Sequence, residues 1–160
     1  INDAVAFRVR FDGELPPPRE RYWRGPVLTE FDGYTWTRPR AQAYFRPPIE
    51  VFGEPVDYTV TLEPTQQRML FALDMVTDWP DEMATLLWDY RLFTRQPVAA
   101  VIQYRARSHP DYVAGLTLTP GMRNRHLQLP AERNPRSFEL ARRMRAAAAG
   151  DAAFIQDVLR

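Results

Sequence analysis

The sequence predicts a mainly β domain, an antiparallel β-sandwich or partly open barrel, followed by C-terminal α-helices. Three observations lead there. Short runs alternate apolar with polar residues, aromatic side chains make up 12% of the chain, and Asp-Gly or proline-rich pieces punctuate the runs at short spacing. Only near residue 134 does the texture change, to a stretch rich in alanine and arginine.

Val5, Phe7, Val9 and Phe11 alternate with Ala6, Arg8 and Arg10, the period of a half-buried strand, which Asp12-Gly13 ends. Pro16, Pro17 and Pro18 then hold the chain extended without backbone donors. In residues 21–36, RYWRGPVLTEFDGYTW, the Asp32-Gly33 pair predicts a type I′ turn flanked by Phe31 and Tyr34. Val27, Thr29, Phe31, Tyr34 and Trp36 then share one face, expected to point into the core, and Arg24 is expected to meet a carboxylate.

Pro39, Pro47, Pro48 and Pro55 predict an irregular loop round a short extended piece at Ile49 to Phe52. Tyr58, Val60 and Leu62 mark a strand, with Met69 to Leu73 as its expected partner. Asp74 to Glu82 reads as a loop in which Asp81 could open a helical turn. Leu86 to Phe93 and Val98 to Arg107 are the next strands, the second with Ala100, Ile102, Tyr104 and Ala106 on one face. Thr117 to Pro120 and His126 to Pro130 read as short extended pieces at most.

Asn134 is suited to an N-cap, Pro135 to the first helical position and Gly150 to the residue past a helix end. Phe138, Ala141, Met144 and Ala148 form a stripe between them. Asp151 can cap a second helix that carries Phe154, Ile155, Val158 and Leu159 on one side. The layout is thus a β domain over 1–130 and a helical linker over 131–160.

Net charge is +1, which offers no field for a phosphate backbone, and no nucleic acid is expected as partner. All 21 basic residues are Arg and none is Lys; a GC-rich coding bias explains this, and Arg also makes bidentate carboxylate pairs. With no cysteine there is no thiolate nucleophile, disulfide framework or Cys-type zinc site within these residues. No apolar run approaches the ~18 residues of a membrane span. The start at Ile1 and the stop at Arg160 inside a helical pattern read as the cut ends of a fragment.

Candidate chemistry is sparse, and no catalytic, cofactor-binding or metal-ligating residue is assigned. His109 and His126 fall in different loops. Asp78, Asp81 and Glu82 lack the order of a calcium loop and read as solvated. Ser108 and Ser137 lie outside any Gly-x-Ser-x-Gly elbow. Trp23, Trp36, Trp79 and Trp88 could line a stacking platform for sugars or bases, but core packing is the simpler expectation.

Tyr22-Trp23-Arg24-Gly25, Val27-Leu28, Phe31-Asp32-Gly33 and Trp36 resemble a motif of the TgpA-type bacterial transglutaminase-like membrane proteins. Ala4 to Val9 with the proline run, Tyr58 to Pro64 with Leu70 to Asp74, and Leu127 to Pro130 with Asn134-Pro135 agree in order. The resemblance implies an extracytoplasmic or periplasmic region tethered to the inner membrane, ahead of a papain-type Cys-His-Asp core. It makes residues 131–160 the lead into that core, and the core the chain's expected partner. The expected role is non-catalytic, spacing and orienting the core. The alternative is a module binding cell-wall glycan or peptide, with peptidoglycan or a cell-envelope protein as partner. In a transamidating parent these residues would offer glutamines such as Gln66 and Gln67, but no lysine amine.

Overall fold

A computed structural model describes residues 4–38, 48–130 and 132–160. The part of the expected proline loop that holds Pro39 and Pro47 lies outside the described residues. In chain order the first strands are β1 (Phe7–Phe11), β2 (Trp23–Arg24), β3 (Glu30–Phe31), β4 (Trp36–Thr37), β5 (Ile49–Phe52) and β6 (Val56–Leu62). Then come β7 (Met69–Leu70), β8 (Ala72–Leu73), β9 (Val76–Asp78), β10 (Ala84–Leu86), β11 (Leu92–Thr94), β12 (Ile102–Ser108) and β13 (Asp111–Ala114). Helices α1 (Pro120–His126), α2 (Pro135–Ala147) and α3 (Asp151–Val158) close the chain. The fold is therefore mainly antiparallel sheet with C-terminal helices, as the alternation predicts. Contacts divide it into two compact units, Ile1–Leu28 with Arg38–Thr119, and Thr29–Thr37 with Pro120–Arg160.

In the first unit a four-stranded sheet runs β1-β6-β12-β9. β6 is its centre, pairing antiparallel with β1 from Phe7↔Leu62 to Phe11↔Tyr58, and with β12 from Ile102↔Leu62 to Ser108↔Val56. The reason lies in the side chains. Tyr58, Val60 and Leu62 are fully buried, Tyr104, Ala106 and Ser108 of β12 are buried beside them, and Phe7, Val9 and Phe11 of β1 pack onto the same core. Burial on this scale removes enough apolar area from water, at roughly 25 cal/mol per Å², to order strands whose local propensity is unremarkable. On the outer face, Arg8 pairs with Glu63 at 2.6 Å and Arg107 with Asp57 at 2.8 Å. Such exposed pairs contribute about 0–1 kcal/mol each.

Several expected elements differ. Met69–Leu73 is not the partner of β6. It splits into β7, which pairs with β11, and β8, which pairs with β2 through Trp23↔Leu73 and Arg24↔Ala72. The expected strand Leu86–Phe93 is a hairpin, β10–β11, whose turn places Tyr90 at φ 64. The expected loop at 74–82 contains β9, which pairs with the end of β12. The short extended piece at 49–52, by contrast, is present as expected, as β5, paired with β13.

Buried polar atoms close a ring at the centre of this unit. Leu73 N–H donates to the Tyr58 hydroxyl at 2.9 Å, Ser108 Oγ donates to Leu73 O at 2.6 Å, and Tyr58 and Ser108 hydroxyls lie 2.9 Å apart. Since Leu73 O can only accept, the Ser108 proton goes there and the Tyr58 proton goes to Ser108. Tyr104 similarly donates to Phe71 O at 2.7 Å.

The second unit joins the β3–β4 hairpin to α1, α2 and α3. Two sequence expectations fail in the hairpin. Phe31 pairs with Trp36, not Tyr34, because Asp32 Oδ1 accepts from both Tyr34 N and Thr35 N at 2.8 Å and opens the turn to the four residues 32–35. Nor is the aromatic face a core face, since Tyr34 is 78% and Trp36 55% exposed. Helix α1 lies between the pieces expected at 117–120 and 126–130, where the sequence predicts no element, and those pieces form no strand. Asn134 sits at φ 56 and makes no side-chain cap to α2, while Pro135 opens the helix as expected. α2 ends at Ala147, and Gly150 precedes α3 at its N-cap position, with Asp151 as the first helical residue.

The buried ring predicts both a mutational and a pH effect. Tyr58→Phe orphans the Leu73 N–H and should cost about 1–3 kcal/mol in urea unfolding. Desolvation raises the Tyr58 phenol from an ordinary 10.0 to about 12 and pushes Tyr104 upward as well. The unfolded chain therefore loses these protons first, so stability should hold below pH 10 and fall as pH rises toward 12. Tyr58→Phe should make that alkaline slope shallower, which urea midpoints measured across that range would show.

Candidate functional site

In the first unit, polar side chains gather round Arg24. Pairing of β2 with β8 brings it to Asp74, where Arg24 Nε donates to Oδ1 at 2.8 Å and Nη2 to Oδ2 at 2.7 Å. This bidentate pair is the expected carboxylate partner, in a geometry lysine cannot reproduce. Arg24 Nη1 donates to Asp89 O at 3.4 Å, and the guanidinium lies 5.6 Å from the Tyr90 ring centre and 6.0 Å from that of Tyr22. The Tyr112 hydroxyl donates to Asp74 Oδ2 at 2.8 Å. Burial by itself lowers the Arg24 pKa, but the hydrogen bonds and charge of Asp74 outweigh it and leave the group above its ordinary value. Desolvation raises the Tyr112 phenol, and its bond to the Asp74 carboxylate adds to the rise. Charges and lone pairs are matched inside the cluster, so it works as a clamp on β2, the Asp89–Tyr90 turn and β13.

The second unit presents a different surface. Phe31 and Trp36 stack with ring centres 4.7 Å apart, 22° from parallel. Gly33, at φ 101, cannot be exchanged freely: a Cβ there would meet Arg133 Cδ and come within 2.9 Å of Arg133 Cβ. Asn134 Nδ2 donates to Gly33 O at 2.8 Å, and the Arg133 guanidinium sits 4.5 Å from the Tyr34 ring centre. The backbone donors of Thr35 and Tyr34 hold the Asp32 carboxyl below its ordinary range. Beside this turn, Phe31, Leu129, Pro130, Phe138 and Ala141 wall a groove of about 410 Å³.

The sequence-derived candidates do not converge. His109 lies just past β12, with Nδ1 3.1 Å from Thr77 Oγ1, whereas His126 is the last residue of α1, in the other unit. Ser108 belongs to the buried ring and Ser137 to α2. Among the described residues no group of three His, Cys, Asp or Glu side chains is placed to hold a metal, and Asp78, Asp81 and Glu82 do not form one. Of the tryptophans, Trp88 is buried, Trp23 and Trp79 pack against the core, and Trp79 Nε1 donates to Ala84 O at 2.9 Å. Trp36 departs from that expectation. Asp74, Tyr90 and Tyr112 carry no local sequence signal that pairs them with Arg24; a bond spanning 50 positions leaves no periodic trace.

Comparison with known proteins gives this arrangement a family. The chain belongs to the family of the TgpA N-terminal domain, whose model matches residues 1–115. A protein-glutamine gamma-glutamyltransferase of Pseudomonas aeruginosa is 38% identical over 157 residues, which are 97% of this chain and 23% of that protein. The crystal structure of the periplasmic domain of TgpA from Pseudomonas aeruginosa superposes with a TM-score of 0.91 at 35% identity, covering 99% of this chain and 55% of that one. The same domain bound to ethylmercury gives 0.88 at 36% identity, covering 97% and 55%. The chain thus spans just over half of the solved domains and under a quarter of the curated relative.

Removing the clamp should be costly. Arg24→Ala leaves Asp74 buried without its cation and should lower unfolding stability by about 3–5 kcal/mol. Arg24→Lys keeps the charge but loses the fork, and its urea midpoint should fall between wild type and Arg24→Ala.

Proposed function

We propose that this chain is the leading, non-catalytic part of a periplasmic, membrane-tethered transglutaminase-like protein, and that it spaces and orients a papain-type core. The observation that carries this is one of extent. Nearly the whole chain aligns with the solved periplasmic domains yet fills only 55% of them. The relative named for glutamyl transfer is longer still. A thioester mechanism needs a thiolate, and these residues include no cysteine. A rigid sheet clamped by Arg24 and Asp74 suits a spacer, because it transmits position without bending.

A second reading, a module for cell-wall glycan or peptide, is favoured by the outward Tyr34 and Trp36, whose rings are open to solvent. Titration of Trp36 fluorescence with peptidoglycan fragments separates the two. Saturable quenching that is lost in Trp36→Ala favours binding.

Deleting residues 1–115 from the whole protein should lower acyl transfer by tenfold or more while its nucleophilic cysteine still reacts with a thiol reagent. A truncated core of full activity and unchanged melting would refute the spacing role. The missing lysines supply a further expectation. A biotinylated glutamine donor and an active transamidase should put no side-chain label on residues 1–160, as mass spectrometry of the tryptic peptides would show.

A further inference from the structure

The second unit exposes apolar surface that its own residues do not cover. No residue of α1, α2 or α3 is buried, and Leu140, Ile155, Val158 and Leu159 are all strongly exposed. Helices of 13 and 8 residues are marginal in water unless an apolar face is packed. The groove of about 410 Å³ between Phe31, Leu129, Phe138 and Ala141 is also open. Next to it on α2 lies a wider one of about 650 Å³, bordered by Tyr34, Leu140, Arg136 and Arg143. Among the described residues Arg145 pairs with Asp151, whereas Arg136, Arg142 and Arg143 make no ion pair. The surface is thus apolar with a mainly basic rim, in which Arg136 and Arg143 outnumber the one carboxylate, Glu139.

Two further findings point to what covers it. The match to the family's N-terminal domain ends at residue 115, so all three helices lie beyond the matched residues. The solved periplasmic domains, into which this chain fits with TM-scores of 0.88 and 0.91, contain much more polypeptide than the chain supplies. We propose that the groove between the 29–37 hairpin and α2 is the docking seat for that additional polypeptide, which enters as an apolar segment flanked by carboxylates. Its apolar side chains fill the space between Phe31 and Phe138, and its carboxylates meet Arg136 and Arg143. The hairpin has a definite part in this. Asn134 and Arg133 fasten it to the start of α2, so the Phe-Asp-Gly-x-x-Trp segment builds one wall of the seat. The proposal rests on the reading of this chain as the leading part of a longer periplasmic protein.

Hydrogen exchange tests it on residues 1–160 and on the complete periplasmic domain. Amides of residues 135–147 should exchange at least tenfold more slowly in the complete domain. In that domain Phe138→Asp and, separately, Arg143→Glu should return them toward the rate in the short chain, while β6 and β12 amides keep their protection. Equal exchange in the two chains would overturn the proposal. So would a concentration-dependent dimer of residues 1–160 that protects α2, or protection of the short chain by peptidoglycan fragments, since each gives the seat another occupant. If α2 is protected but deletion of residues 1–115 leaves catalysis intact, the seat stands and the spacing role falls. If α2 exchange is unchanged but that deletion impairs catalysis, the seat falls and the spacing role stands.

Discussion

The peptide of Leu73 lies in the dry centre of the first unit, where an unpaired N–H or C=O would cost about 1–3 kcal/mol. Leu73 faces Trp23 across β2, yet its polar groups turn the other way and find Tyr58 and Ser108. The next residue, Asp74, reaches Arg24 and Tyr112, and Met75 exchanges both backbone bonds with His109. Three successive residues are thus satisfied by partners drawn from β2, β6, β13 and the end of β12. The four-stranded sheet, the β2–β8 pair and the Arg24 clamp all meet on this short crossing segment, and loss of its partners would strand polar groups that no ladder could take up.

That requirement explains why particular residue types stand where they do. Phenylalanine would fill the Tyr58 site as well, but it offers nothing to the Leu73 N–H. Alanine would suit the size of the Ser108 site and leave Leu73 O bare. Lysine could supply charge at position 24, but not two parallel donors to one carboxylate. Arginine meets this geometric need at position 24, and Arg107 makes a similar fork with Asp57 on the exposed face.

Much of this could be read from sequence, and the limits have physical causes. β1, β6 and β12 are five or seven residues long, enough for a period of two to show, and the inward residues Tyr58, Val60, Tyr104 and Ala106 follow it. β2, β7 and β8 have two residues each, which is no pattern at all, so their partners were illegible. At the hairpin, Asp32-Gly33 signalled a turn correctly, but the side chain of Asp32 chose the four-residue form and moved the register. α1 opens Pro-Gly and holds Met122 with little apolar company, so neither propensity nor periodicity announced it. The site was less legible than the fold. Arg24 asked for a carboxylate, but nothing local named Asp74.

The bond from Asn134 to Gly33 joins residues 101 positions apart, and it makes the second unit discontinuous along the chain. At about 5–20 residues per second, synthesis would leave the hairpin waiting on the order of 5–20 s for the helix it holds. During that interval the Phe31–Trp36 stack stands without α2. The family match ends at residue 115, close to the end of the first unit at Thr119, yet a chain cut there would keep the hairpin and discard the residue that holds it.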